Sequence, residues 1–273
     1  MAVSWDTERK LAEALAQKSD NPQDVTKFGP ELAADDYRRR EIEEIVQHLI
    51  RVAEEDFFEV RGRLHWTVRV RDNPIPNAFC SIGGSVTVFS GLFDMMTEAE
   101  RNGTIKDARC ALACILAHEI AHGLCRHGTE KISWLPLEYP LSFLMQDSTI
   151  LQTLLAFIVN LPYSRLCETE ADLVGVELMA RAGFDPREAV KTFKLLDHTT
   201  EFLEFASTHP AGETRAKRVE EGLVQVISLY EKNQDRFFKK TSSIGTILDM
   251  LKRLIFPGRL HHKNTGRVPL SQI

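Results

Sequence analysis

Apolar residues recur at helical spacing at Ile42, Ile45, Val46, Leu49 and Val52, and predict one long helix over about 31–60. A shorter helix is expected near 5–16, ahead of the polar linker SDNPQDVTKFGP. The pattern then changes to period two. LHWTVRV (64–70) and SVTVFSG (85–91) are rich in β-branched and aromatic residues and predict strands, with the turn-rich RDNPIPN between them. Helix is expected again over 105–127 and 164–182. Gly183 closes the second of these, and Asp185-Pro186 supplies a cap and a first residue for the next. No internal repeat or low-complexity block is present, and the series describes a mainly α-helical α+β fold with a small antiparallel sheet.

Two segments depart from this pattern. From 132 to 161 the only charges are Glu138 and Asp147, and TILQTLLAFIVNL forms an apolar run of about 13 residues. A membrane-spanning helix needs ~20, so a buried or membrane-touching helix pair is expected there. SSIGTILDMLKRLIF (242–256) places Ile244, Ile247, Leu248, Leu251, Leu254 and Ile255 on one stripe, with Lys252 and Arg253 off it. A basic amphipathic helix of this kind either packs on its own core or makes peripheral contact with an anionic membrane.

The candidate chemistry lies in CILAHEIAHGLCRHG (114–128). Between 111 and 124 the only residues that are not aliphatic, cysteine or glycine are His118, Glu119 and His122. A helix apolar all round is a buried helix, and buried polar side chains need partners. His118 and His122 stand one turn apart on one face, the separation two ligands of one zinc ion require. Glu119 sits about 100° around the helix. There it is placed to take a proton from a water on the metal as that water attacks a carbonyl.

A catalytic zinc takes a third protein ligand and keeps one position open. YSRLCETEADLVG offers Glu168 and Asp172, again one turn apart. Glu168 would complete a His/His/Glu site, and Asp172 would accept the free N–H of a ligand histidine. The alternative is a solvated acidic face, because Glu170 and Glu177 lie on the same helix. His127 follows His118 by nine positions, about 180° around a continuing helix, so it is expected to point away from the metal and is excluded as a ligand. Cys110, Cys114 and Cys125 lie at helical steps from the histidines, either as a Cys/His cluster or, more simply, as small buried hydrophobes. If SVTVFSG is an edge strand beside the zinc helix, an extended peptide can bind by adding to it; the alternative is an interior strand.

Composition narrows the classes. A net charge of −5 gives no reason to expect a nucleic-acid partner. The charge is uneven: from residue 236 onward eight Lys and Arg face a single acid, Asp249, so that segment is +7 and the remainder −12. Five cysteines are an odd number and do not read as a disulfide framework, which favours a reducing compartment. MAVSWDTERKLAEALAQ shows neither a secretory pattern nor the acid-poor composition of a transit peptide, so a cytoplasmic location is one expectation.

HEIAH, then SRLCETEAD, then STHPAGETRAKRV, preceded by NAFCSIGGSVTVFSGLF, resemble in order the motifs of the zinc endopeptidase family that includes HtpX, BepA and the CAAX prenyl protease. SRxxExEAD with THPxxxxR is most similar to its stress-activated mitochondrial inner-membrane branch, whose activity overlaps that of the m-AAA protease. The resemblance covers about residues 64–225. It implies a zincin-like domain with one Zn²⁺ per chain held by His118, His122 and Glu168. It implies Glu119 as general base, and Asp172 and Arg165 as supporting residues. His209 corresponds to a histidine near the metal that stabilises the oxyanion or fills the open position at rest. The expected organisation is an N-terminal helix and linker (1–30), a zinc metallopeptidase domain (31–235), and a basic C-terminal helix and tail (236–273). The expected function is hydrolysis of unfolded or membrane-associated polypeptides in protein quality control at the mitochondrial inner membrane. The alternative from another class is a zinc-stabilised binding module or adaptor that does not hydrolyse.

Overall fold

The computed structural model describes residues 3–18, 25–26, 28–131, 133, 161–198 and 215–236. In chain order these form α1 (Trp5–Lys18), α2 (Tyr37–Asp56), β1 (Thr67–Arg71), β2 (Ala78–Ser81), β3 (Ser85–Phe89), α3 (Ser90–Arg101), α4 (Ala108–Leu124), α5 (Leu161–Arg181), α6 (Arg187–His198) and α7 (Arg215–Asn233). The mainly helical α+β, zincin-like class is the one observed. Expectations at 132, 134–160 and 242–256, and the one for His209, fall outside the described residues. Among the described residues no helix is long and apolar enough to cross a membrane.

The predicted apolar stripe of α2 is its buried face: Ile42, Ile45, Val46, Leu49 and Val52 are all in the core. The helix is shorter than 31–60. Asp36 caps it by accepting the Arg38 amide hydrogen. The residues before it are extended, with the Leu32 amide donating to the Val70 carbonyl at 2.8 Å and Asp72 to Pro30 at 2.8 Å. They continue the sheet beyond β1.

The sheet has three strands in the order β1-β3-β2. It is mixed, not purely antiparallel: β3 runs parallel to β1, with Val68 opposite Val86, and antiparallel to β2, with Cys80 opposite Val86. SVTVFSG therefore supplies the interior strand, the second of the two readings, and β2 stands at an edge of the three-stranded sheet. The chain turns from β3 straight into α3, which the β-branched run before it concealed. Gly91 permits that turn, because a Cβ there would lie 2.1 Å from the Pro74 carbonyl oxygen. Leu92, Phe93, Met96 and Ala99 form the buried face of α3.

α4 is capped by Asp107, which accepts the Cys110 amide hydrogen at 2.9 Å. It is buried on nearly every side, packed against α2, α3, α5, α6 and β2. This explains why its sequence shows no polar face. α5 crosses it closely: a Cβ at Gly175 would sit 2.9 Å from the His118 amide nitrogen. Only glycine allows the two backbones to approach so near, and the approach brings the acidic residues of α5 over the histidines of α4. α4 ends at Leu124, three residues sooner than 127. Arg126 takes φ 60°, a left-handed conformation uncommon outside glycine, and the chain folds back. Its guanidinium is held from α1 by the Glu8 carboxylate at 2.7 Å and from the preceding chain by the Val3 carbonyl at 2.7 Å, and it lies 3.9 Å from the centre of the Trp5 ring.

Candidate metal centre

His118 and His122 project from one face of α4, with their Nε2 atoms 3.1 Å apart. Glu168 of α5 closes the third corner. Its Oε2 lies 3.3 Å from His118 Nε2 and its Oε1 3.3 Å from His122 Nε2. Bonds of 2.0–2.1 Å to a tetrahedral metal set ligand–ligand edges of about 3.3–3.4 Å. Three donors at 3.1–3.3 Å match one face of a tetrahedron of that size, and two imidazoles with one carboxylate are a donor set that suits zinc. Glu168 and Asp172 are almost fully buried, at 4% and 2% exposure, so they are not part of a solvated acidic face.

Glu119 is 1% exposed and faces the sheet. Its Oε2 accepts the Cys80 amide hydrogen at 3.1 Å. Phe79 pairs with Thr87 and the Asn77 carbonyl accepts the Phe89 amide, so the Cys80 amide points from the outer edge of β2 towards α4. The edge strand and the carboxylate are joined directly.

Asp172 meets the other nitrogen of His118, Oδ1 to Nδ1 at 3.0 Å. Its two oxygens also receive a fork from Arg215, Nη2 to Oδ1 at 2.6 Å and Nε to Oδ2 at 2.9 Å. Arg215 is 3% exposed and stacks 4.6 Å from the centre of the Phe193 ring. Arg165, named with Asp172 as a supporting residue by the resemblance, is exposed on the first turns of α5; among the described residues its carbonyl accepts from Thr169 and its side chain joins no ion pair. The buried cation at the site is Arg215, from α7. It stands in the STHPAGETRAKRV segment that already carried the THPxxxxR pattern.

His127 is the second difference. Because α4 stops at Leu124, the ring of His127 returns to that of His122, with Nδ1 atoms 2.9 Å apart, and its Nε2 lies 3.2 Å from Glu170 Oε2. Cys114 and Cys110 stay apart from the ligand group as small packed side chains, with burial pushing both thiols up, that of Cys110 to about 12.

The two candidate ligand histidines are shifted in opposite directions. Burial disfavours the cation of His118, but hydrogen bonds to Asp172 and Glu168 outweigh it and hold its pKa up at about 9. Burial pushes His122 down to about 4, and the neighbouring His118 cation adds to the effect. Asp172 stays below the usual carboxylate range despite its burial, because His118 and Arg215 favour the anion. At pH 7 the metal-free site is therefore expected to carry one exchangeable proton, on His118. Zinc needs that nitrogen bare, so zinc uptake at pH 7 is expected to release one proton per chain. Affinity should rise about tenfold per pH unit between about 4 and 9, and level off above. Titration calorimetry in two buffers of different ionisation enthalpy reads the proton directly; uptake without release would contradict the assignment.

Peptidase family M48 is matched over residues 36–222. The mitochondrial metalloendopeptidase OMA1 of Schizosaccharomyces pombe is 38% identical over 169 residues, covering 59% of this chain and 47% of that protein. The mitochondrial metalloendopeptidase OMA1 of Saccharomyces cerevisiae is 31% identical over 184 residues, 62% of this chain and 50% of that protein. The beta-barrel assembly-enhancing protease of Escherichia coli is 27% identical over 190 residues, 62% of this chain and 37% of that protein. The chain spans half the length, or less, of these relatives.

Proposed function

The chain belongs to peptidase family M48, and from that premise we propose that it is a zinc-dependent endopeptidase acting on unfolded or membrane-associated polypeptides in protein quality control. The observation that carries the reading is the triangle of His118 Nε2, His122 Nε2 and Glu168 oxygens with edges of 3.1–3.3 Å, beside a buried Glu119. Zinc held by these three residues supplies a Lewis acid that lowers the pKa of a water toward neutrality. Glu119 takes the proton of the attacking water and delivers it to the departing amine. The Cys80 amide fixes the orientation of that carboxylate. Asp172 keeps His118 in the tautomer with hydrogen on Nδ1, leaving Nε2 free to bind, and Arg215 keeps Asp172 ionised. His209, outside the described residues, is proposed either to donate to the oxyanion or to fill the open metal position at rest.

The substrate is read as an extended chain that adds to the outer edge of β2 through the main-chain groups Glu119 does not take, the Cys80 amide hydrogen being held by that carboxylate. Main-chain pairing of this kind needs little sequence preference and suits unfolded segments. A mitochondrial location is supported by the names of the two yeast relatives; fractionation with a carbonate wash tests it, and recovery only in the cytosol would remove it. The purified chain is expected to bind one zinc and to cut a disordered protein into fragments, with cleavage abolished by a chelator and restored by zinc. A chain that binds zinc and leaves the substrate intact would be the non-hydrolytic adaptor instead.

A further inference from the structure

Two nitrogens of the candidate zinc ligands face away from the metal position, and they meet different partners. His118 Nδ1 meets a carboxylate, Asp172, at 3.0 Å. His122 Nδ1 meets a second imidazole, His127 Nδ1, at 2.9 Å. We infer that His127 is a positioning residue for the zinc site, the middle member of a relay from His122 through His127 to Glu170. The inference rests on the zinc reading above.

The direction of each hydrogen bond follows from the donor inventory. His122 presents Nε2 to Glu168 and the metal position, so when it binds zinc its hydrogen must be on Nδ1. That N–H donates to His127, whose Nδ1 must then be the bare acceptor. Neutral His127 carries its own hydrogen on Nε2, and there it finds Glu170 Oε2 at 3.2 Å. The three contacts agree with one assignment of the ring hydrogens. His127 is 6% exposed, with its ring centre 4.9 Å from that of His122 and the planes 74° apart, so the acceptor is packed in place. The placement depends on the left-handed Arg126 that ends α4, and Arg126 is itself clamped by Glu8, Val3 and Trp5. A neutral acceptor polarises His122 less than Asp172 polarises His118, so His122 is the weaker-held ligand of the pair.

The relay competes with another use of the same atoms. Cys125, His127 and Glu170 bring one ligand atom each within 4.8 Å. A metal there, on His127 Nε2, would move the hydrogen to Nδ1 and set it against the His122 N–H, donor against donor at 2.9 Å. The relay therefore requires one zinc per chain and not two.

The test uses the full 273-residue chain with Glu119→Gln as background to prevent self-cleavage, and zinc competition titration as readout. His127→Leu, which keeps bulk but offers no acceptor, should weaken zinc binding 10–100-fold. His127→Asn, whose Oδ1 takes the place of Nδ1, should restore most of it. Glu170→Gln keeps a neutral acceptor on a half-exposed side chain and should change affinity less than about fivefold. In the unsubstituted background, ¹⁵N-histidine NMR of the zinc-loaded chain should show His127 protonated on Nε2 and bare on Nδ1. That spectrum decides the matter even if a variant fails to fold. Wild-type affinity in His127→Leu, a second zinc per chain, or hydrogen on His127 Nδ1 would overturn the relay and leave the zinc site standing. No zinc binding by the parent chain would overturn both.

Discussion

Glu119→Gln is expected to keep its zinc and lose its cleavage, by about 10²–10⁴-fold. The side chain is 1% exposed and its Oε2 accepts the Cys80 amide hydrogen, a bond the glutamine carbonyl can also accept. The fold and the β2–α4 contact should survive the exchange. The carboxylate lies outside the triangle of His118, His122 and Glu168, so no donor is removed from the metal. What disappears is the only change the exchange makes, a group able to take a proton. Zinc affinity and peptide cleavage measured on the same preparation separate the two effects. Undiminished cleavage would remove Glu119 from the role of general base, and lost zinc would mean that it serves as a ligand.

The first half of the site is legible in the sequence because burial and chemistry conflict there. His118, Glu119 and His122 stand in a helix with no polar face, and polar residues in such a place need a partner. Glu168 and Asp172 are less legible. Their spacing is right, but Glu170 and Glu177 make the same stretch look like a solvent-facing acidic helix. The fold separates them. Glu168 and Asp172 turn inward where Gly175 lets α5 touch α4, while Glu170 is left at the surface and Glu177 pairs with Arg181 at 2.5 Å. Helical phase alone distinguishes Glu168 from Glu170; it does not say which of them is buried.

The misses have local causes. The reading of His127 extended the helix past Leu124, and nothing in CRHG announces that Arg126 will adopt φ 60°. That conformation is secured by Glu8 and Trp5, more than 110 residues away in sequence. β2 is four residues between turn signals, too short for its periodicity to register, and it is a strand because β3 lies beside it. The stripe of α3 at Leu92, Phe93, Met96 and Ala99 is visible, but the β-branched run ahead of it drew the strand two residues too far. Arg165 enters as a supporting residue only through the family resemblance, and no spacing in the sequence singles out Arg215. In the fold α7 carries a more distant arginine to the buried carboxylate.

That arginine carries the largest expected effect on stability. Arg215→Met should destabilise the metal-free chain by about 3–5 kcal/mol, because it leaves Asp172 ionised at 2% exposure with only His118 to answer it. The fork from Arg215 supplies two charge-assisted bonds at 2.6 and 2.9 Å, which methionine cannot replace. The sign with pH follows from Asp172. Its pKa is held down in the folded chain, so the stability it contributes is present at neutral pH and is lost as pH falls through the folded value. The gap between parent and variant should therefore be widest near pH 7 and close in acid. A second exchange identifies the cause. In Arg215→Met/Asp172→Asn the buried anion is gone, and the amide oxygen can still accept from His118 Nδ1, so most of the loss should return. Urea unfolding of the three chains at pH 7 and in acid measures each step. A loss below about 1 kcal/mol for Arg215→Met would show that Asp172 does not depend on it. A double variant no better than the single would trace the cost to packing against Phe193, 4.6 Å away, and not to the uncompensated charge.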